Sequence, residues 1–318
     1  MPHGKLARMK PILKHLIDWK FWHDDDIRHV LELSRTVKHK RWEFQGHMQG
    51  NTLVMLFQKT STRTRVSFEA GMSELGGHAI NLDWGATNFT LSKIRFETQY
   101  LCRNAAMLMA RLKRNPDLNE MEQAASVPLI NGCCDLYHPC QALADMLTIA
   151  EDRGGSVEGA KLTYIGVYNN VVNSLVSISS ALGIDLTLVC PVREDNAVDL
   201  DSRRRLQDTG LLTETLDATS AVSNADYVYT DTWLNMEYYN DPSYEHKKKE
   251  RCELMLPYQI NAELMKNSRA KIMHDMPIHP GYEIAEDMVE CGQSIIYDQA
   301  ENRLDAQKAI MLHLRHGI

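Results

Sequence analysis

Short apolar runs alternate with amphipathic stretches along almost the whole chain, and this alternation restricts the fold more than any other feature. Asn51–Phe57 (NTLVMLF) reads as a buried strand, followed by a polar turn and a helix over roughly 64–76 that ends at Gly76-Gly77. Ala79–Leu82 is a short strand, 93–104 a helix, Ala106–Ala110 a buried strand, Val127–Ile130 a further strand and His138–Ala150 a helix. Upstream, 24–40 places Ile27, Val30, Leu31 and Leu33 on one side of a helix and charges on the other. After a polar, glycine-bearing stretch at Asp152–Gly159 the pattern restarts. Strand 161–167, helix 170–182, strand 184–190, a helix near 200–208 and strands 226–230 and 271–274 precede a long helix over 298–315. Strands alternating with helices imply parallel sheets joined by right-handed crossovers. The expected fold is α/β with two domains, each a mostly parallel sheet flanked by helices. At 318 residues the chain exceeds the size at which single cores split. The boundary is expected near 150, giving domains 1–150 and 151–318, with the last helix crossing back onto the first.

Composition narrows the partners. A net charge of -7 gives no reason to expect nucleic acid. No apolar run approaches the roughly eighteen residues of a membrane helix, so no membrane partner is expected. The basic segment Met1–Lys10 is not followed by a continuous apolar stretch, so a secretory signal is not expected either. Seven cysteines, an odd number in a long chain, fit reduced thiols and a cytoplasmic location. Cys133, Cys134, His138 and Cys140 lack the paired C-x-x-C spacing of a zinc site, and no metal is expected.

Ser61-Thr62-Arg63-Thr64-Arg65 lies between a buried strand and a helix start. Unsatisfied N–H groups and the positive end of the helix dipole favour an anion there. Ser61, Thr62 and Thr64 add hydroxyl donors, and Arg63 adds a fork that matches phosphate or carboxylate. An N-capping Ser/Thr run with two surface arginines would look the same.

Sequence order separates these readings. Phe57-Gln58-Lys59-Thr60-Ser61-Thr62-Arg63-Thr64-Arg65-Val66-Ser67-Phe68-Glu69 resembles the carbamoyl phosphate loop of the aspartate/ornithine transcarbamylase superfamily. His138-Pro139-Cys140-Gln141, followed by Ala142-Leu143-Ala144-Asp145, resembles its second signature, with Asn131-Gly132 upstream. Arg111 ends a predicted strand where the family keeps a phosphate-binding arginine, and Glu301-Asn302-Arg303 opens the last helix as in ornithine transcarbamylases. The resemblance implies that Ser61, Thr62, Arg63 and Thr64 hold a phosphate with Arg111. It implies that His138, Gln141 and Arg303 hold the carbamoyl carbonyl. Attack by a neutral amine builds negative charge on that oxygen, and preorganised donors around it are the largest catalytic term available. Phosphate is already a good leaving group, so neither a covalent nucleophile nor a cofactor is needed.

The acceptor region resembles the family with departures. Tyr168-Asn169-Asn170 opens a helix where ornithine transcarbamylases place an asparagine on the acceptor, and Asn170 is the matching position. The family's usual Asp after Gly166 is Val167 here. Asp231-Thr232-Trp233-Leu234-Asn235-Met236-Glu237 resembles the Asp-x-Trp-x-Ser-Met-Gly loop, with Asp231 at the carboxylate that orients the amine. Asn235 replaces the serine, Glu237 replaces the glycine, and Tyr238–Lys249 reads as a longer loop. His274-Asp275-Met276-Pro277 stands where the family has His-Cys-Leu-Pro, so Asp275 replaces the cysteine that faces the amine and Met276 the leucine. Asp275 would attract an ammonium and raise its pKa, could accept its proton, or could pair with a nearby Lys or Arg. Trp84 and Trp233 read as packing residues. Thr87 and Thr90 stand where relatives carry residues reaching a neighbouring subunit's site.

The resemblance implies a carbamoyltransferase acting on ornithine or an ornithine-like amino acid or diamine, assembled as a homotrimer or a multiple of it. A carbamoyl phosphate-binding sensor or assembly subunit is the alternative. Replacing Arg63 by alanine is expected to nearly abolish transfer by weakening carbamoyl phosphate binding by roughly 2–4 kcal/mol. Calorimetry with that ligand checks this, and unchanged affinity would refute the assignment.

Overall fold

A computed structural model describes residues 14–193, 197–234 and 242–318. Met1–Lys10, Asn235, Met236 and Glu237 lie outside the described residues. In chain order the elements are α1 (Asp24–His39), β1 (Thr52–Phe57), α2 (Thr62–Glu74), β2 (His78–Asp83), α3 (Ile94–Asn104), β3 (Met107–Arg111), α4 (Asn115–Ala124), β4 (Leu129–Cys133) and α5 (Pro139–Asp152). Then come β5 (Lys161–Tyr168), α6 (Asn170–Leu182), β6 (Asp185–Arg193), α7 (Leu200–Asp208), β7 (Leu212–Glu214), α8 (Ala218–Ser223) and β8 (Tyr227–Thr230). The chain continues through α9 (Glu245–Met255), α10 (Ala262–Met265), β9 (Lys271–His274), α11 (Glu286–Val289) and α12 (Ile296–His316), with short 3-10 turns between elements.

The strands form two sheets, ordered β2-β1-β3-β4 and β7-β6-β5-β8-β9. Every pairing is parallel. A central parallel strand is covered on both faces, which is why β1 is an unbroken apolar run. Leu53, Met55 and Phe57 enter a core continuous with Leu162 and Tyr164 of the second sheet, while Val54 and Leu56 enter a separate core under α3 and α4. The chain leaves β1 and β3 for opposite faces of the first sheet, and β5 and β8 occupy the same position in the second. The carboxyl ends of strands at such a reversal leave a crevice between diverging loops.

The expected α/β architecture is present, and α12 packs against α1, α2 and α5 of the first sheet's layer. Several elements differ from their sequence expectation. The fourth strand, expected at 127–130, begins after Pro128 and runs on through Asn131-Gly132. Buried Asn131 stays in the strand because its amide donates to the Ile17 carbonyl at 2.9 Å and its oxygen accepts from the Cys133 N–H at 3.0 Å. A side chain at Gly132 would displace Met109, since a Cβ there would lie 2.5 Å from Met109 Sδ. Part of the expected loop 238–249 is the start of α9. Its Glu/Lys-rich sequence has high helix propensity, supported by Glu245–Lys248 and Lys249–Glu253 pairs one turn apart. The short elements α4, β7 and α8 have too few periodic positions to stand out in the sequence.

α12 is pinned by a buried charge cluster. Fully buried Lys308 donates to Glu74 Oε2 on α2 and to Asp305 Oδ1, both at 2.9 Å. Arg41 holds the other oxygen of Glu74. Removing one member of such a cluster strands a buried carboxylate. Lys308→Met is expected to destabilise the protein by about 3 kcal/mol. A urea unfolding curve checks this, with a lower midpoint and an unchanged slope as the expected result.

Candidate active site

The crevice between the two sheets is a cavity of about 740 Å³. Its first wall starts at the end of β1. Ser61 caps α2, its Oγ accepting from the Thr64 N–H at 3.3 Å, and Thr62 is exposed at the first helical position. This leaves the helix start facing the cavity with free donors. Thr64 is buried, and its Oγ1 accepts from Arg303 Nη2 at 3.1 Å and from Arg111 Nη1 at 3.3 Å. Arg111 stands at the last position of β3, and Arg303 reaches in from α12. Arg63 lines the same cavity, its Nη2 donating to the Met276 carbonyl. Burial lowers the Arg63 pKa, Asp275 opposes the shift, and Arg303 and Arg111 add to it. The buried Nε–H groups of Arg111 and Arg303 have no hydrogen-bond partner.

His138 occupies the N-cap position of α5, its backbone N–H bonded to Ser174 Oγ at 2.9 Å. Burial pushes its imidazole pKa well below the ordinary value, and Arg303, Arg111, Arg63 and Lys59 push it further. The ring is therefore neutral at pH 7, and its buried Nδ1 has no partner. Gln141 does not line the cavity. It sits behind Arg303, with its Oε1 accepting from Arg303 Nη1 at 2.5 Å and its Nε2 donating to Asp145 at 2.8 Å.

The second wall comes from β5, β8 and β9. Asn169 caps α6 with Oδ1, which accepts from the N–H groups of Val171 and Val172 at 3.0 and 3.3 Å. That orientation turns its Nδ2 toward Asp231, whose Oδ2 it meets at 2.7 Å. Asp231 also takes the Thr232 N–H at 2.8 Å. Asn170, the residue matched by sequence, lines the cavity, but its Nδ2 crosses to the Cys134 carbonyl at 2.7 Å and Cys133 Sγ at 3.1 Å. Asn169 was missed. Its position immediately before a helix was the available signal, because an N-cap asparagine has a spare amide.

After β9, buried His274 organises a tight turn. Its Nδ1 accepts from the Met276 N–H at 2.7 Å, so the proton lies on Nε2, which faces Glu283 Oε1 at 3.1 Å. Burial would raise the Glu283 pKa, but hydrogen bonds from His274 and His279 hold it at about 2. Met276 adopts φ 60°, a left-handed conformation uncommon for a side chain of this kind. Asp275 Oδ1 lies 3.7 Å from Arg303 Nη1 and forms an ion pair with it. The carboxyl of Asp231 is pushed up to about 6 by burial first and by Asp275 second.

The remaining sequence candidates fall into structural roles or onto the rim. Arg65 is exposed and pairs with Glu69 at 3.1 Å. Trp233 packs with Val167 and Met255 and borders the cavity, while Trp84 packs on Phe89 with ring centroids 4.9 Å apart. Lys59, Lys113, Lys247, Lys248 and Arg251 add positive charge around the cavity, and those on α9 were not anticipated. Burial raises the thiols of Cys134 and Cys140 to about 11 and about 12, which disfavours thiolate ligation.

The chain that carries this cluster of guanidinium groups at a helix start, beside a pair of carboxylates, is similar to known proteins. Residues 14–151 match the family described as aspartate/ornithine carbamoyltransferase, carbamoyl-P binding domain. Residues 158–314 match its Asp/Orn binding domain. An ornithine carbamoyltransferase of Pyrococcus horikoshii is 37% identical over 306 residues, 92% of this chain and 93% of that protein. One from Archaeoglobus fulgidus is 35% identical over 308 residues, 95% of this chain and 97% of that one. The solved ornithine carbamoyltransferase of Pyrococcus furiosus superposes with a TM-score of 0.88 at 34% identity, covering 98% of this chain and 99% of that one. The chain belongs to the aspartate/ornithine carbamoyltransferase family.

After burial, the charge of Asp275 is the largest cause raising the Asp231 carboxyl. Replacing Asp275 by asparagine is expected to move the Asp231 midpoint down from about 6 toward the ordinary carboxylate range. Carboxyl-carbon NMR titration checks this. An unchanged midpoint would mean that burial alone raises it.

Proposed function

We propose that this protein is a carbamoyltransferase that moves the carbamoyl group of carbamoyl phosphate to the side-chain amine of ornithine, or of an ornithine-like amino acid or diamine, and releases phosphate. The observation that carries this reading is the convergence of Arg63, Arg111 and Arg303 at the start of α2, in one cavity with Asp231 and Asp275. Ser61, Thr62, Arg63 and Thr64, with Arg111, hold the phosphate. Arg303 and neutral His138 donate to the carbamoyl oxygen as it gains charge. Gln141 steadies Arg303 from behind. Asp231, steered by Asn169, holds the acceptor's ammonium group, while Asn170 and Met276 line its surroundings; the sequence resemblance assigns Asn235 and Met236, outside the described residues, to the same role.

The amine nitrogen attacks the carbonyl carbon and forms a C–N bond. The bond from that carbon to the phosphate oxygen breaks, and its electron pair leaves with phosphate. The amine must lose a proton before attack or during it, and Asp275 is placed to receive one. Aspartate is a poor acceptor here, because Asp231 and Asp275 would repel its second carboxylate. A sensor without transfer activity is the weaker reading. The donor groups are all present, and the acceptor side carries oriented carboxylates that a donor sensor would not need.

The donor-binding half spans residues 1–150 and the acceptor-binding half 151–318. The two sheets, which fall on either side of that boundary, support the division. The assembly is a homotrimer or a multiple of it. Exposed Ile80, Leu91, Phe96 and Tyr100, on edge strand β2 and the segment after it, support a subunit contact there. The compartment is the cytoplasm, which fits seven free thiols, five of them buried. Among the described residues no helix is long and apolar enough to cross a membrane.

Phosphate release from carbamoyl phosphate, measured against ornithine, lysine, putrescine, N-acetylornithine, diaminopropionate and aspartate, tests the reaction. Release with none of them beyond the background would refute it. Binding is expected to be ordered, donor first, because the donor neutralises the arginines beside Asp275 and so shapes the acceptor site. Initial-rate patterns check this, and tight acceptor binding without donor would count against it. Asp275 and Asn235 are expected to make ornithine a poorer substrate than some other amine. The check compares kcat/KM across the panel in wild type and in an Asp275→Cys, Asn235→Ser double variant. A wild type that prefers ornithine, with no gain in the double variant, would show that these positions do not redirect specificity.

A further inference from the structure

Behind the arginines, α5 and α12 face each other through four buried side chains. Gln141 and Asp145 are four residues apart on α5, and Gln299 and Arg303 are four apart on α12. The chemistry above makes no use of Asp145 or Gln299. Asp145 Oδ1 accepts from two amides at once, Gln141 Nε2 at 2.8 Å and Gln299 Nε2 at 2.7 Å. An amide side chain can be turned either way round, and only its partners decide which end is which. An oxygen that can only accept draws both amide nitrogens toward itself, and both amide oxygens must then face away.

Each outward oxygen leads to a different half of the cavity. Gln141 Oε1 meets Arg303 Nη1 at 2.5 Å, and Arg303 Nη2 then reaches Thr64 Oγ1 at 3.1 Å. Gln299 Oε1 accepts from the His274 N–H at 2.8 Å. His274 Nδ1 takes the Met276 N–H at 2.7 Å, and the Met276 carbonyl accepts from Arg63. The path therefore closes on itself through the donor loop, since Arg63 and Thr64 are neighbours. Turning either amide over would set N–H against N–H at one end and oxygen against oxygen at the other, in a place closed to water.

We propose that Asp145 is a positioning residue for carbamoyl transfer: by orienting two buried amides it aims Arg303 at the donor and holds the 274–277 turn against the acceptor. This rests on reading Arg303 as the group that polarises the carbamoyl oxygen. Burial pushes the Asp145 carboxyl up to about 8. Its Oδ1 accepts whether or not Oδ2 carries a proton, so both protonation states keep the same orientation.

The test compares Asp145→Leu, which has no acceptor, with Asp145→Asn, whose amide oxygen can take the place of Oδ1. Steady-state rates are measured with the best amine of the panel, and carbamoyl phosphate affinity by calorimetry. Asp145→Leu is expected to lose at least a hundredfold in kcat, and Asp145→Asn to stay within about tenfold of wild type. A third variant, Gln299→Leu, removes the arm from Asp145 to His274 and leaves the arm through Gln141 to Arg303 in place. It is expected to raise the acceptor KM at least tenfold while leaving the carbamoyl phosphate Kd within about twofold, and it decides the matter if Asp145→Leu does not fold. Wild-type rates in Asp145→Leu, equal damage in Asp145→Asn and Asp145→Leu, or an unchanged acceptor KM in Gln299→Leu would each overturn the proposal. Absence of transfer by the wild type would instead refute the proposed reaction.

Discussion

Guanidinium groups repel one another, yet Arg111 and Arg303 both donate to the hydroxyl of Thr64, with Arg63 next to it in the chain. Two unit charges 4 Å apart interact by about 4 kcal/mol at an effective dielectric of 20, so the surroundings must hold such a cluster together. Much of the restraint comes from neutral oxygens: the carbonyls of Gly132 and Met276 and the amide of Gln141. Asp275 is the carboxylate that forms an ion pair with Arg303. Neutral acceptors hold the groups in place without cancelling their charge, so the cavity keeps a positive field suited to a phosphate dianion. Burial first and the same field second keep His138 neutral, so its imidazole adds no further cation to the cavity.

A cluster of this kind needs a stiff frame, and α12 supplies much of it. Arg303 enters the cavity 239 residues away in sequence from Thr64. Four residues back along the same helix, Gln299 holds the start of the 274–277 turn, and one turn further on, Lys308 ties the helix to α2. Asn302 adds a third anchor, through Thr148 at 3.0 Å and Glu151 at 2.8 Å on α5. Side chains on a packed helix are held more closely than side chains on loops. A helix that crosses from the second half onto the first therefore sets the distance between donor and acceptor groups.

The acceptor side follows the opposite electrostatic rule. Burial and Asp275 raise the Asp231 carboxyl, while the amide of Asn169 and the N–H of Thr232 favour its ionised form. Asp275 stands at the seam between the two fields, close to Arg303 and acting on Asp231.

The strands other than β7, the capped start of α2 and Arg111 at a strand end were legible in the sequence because each is written in a few consecutive residues. Apolar periodicity, a Ser/Thr cap and a charged residue closing an apolar run are local signals. The cap at Asn169 was equally local, but the Asn169-Asn170 doublet offered two candidates, and only the register of α6 separates the cap from the residue after it. Nothing local shows that Gln141 lies behind Arg303, that Asn170 reaches Cys134, or that the Met276 carbonyl faces Arg63. These contacts depend on how α12 and the 274–277 turn sit against the first sheet, and contacts between segments far apart in the chain leave no periodic trace. The sequence alone thus determined the order of the longer strands and helices and the kinds of side chain at their ends. Which of those side chains touch substrate and which hold another in place was decided by tertiary packing, because a buried polar group takes its role from its hydrogen-bond partners.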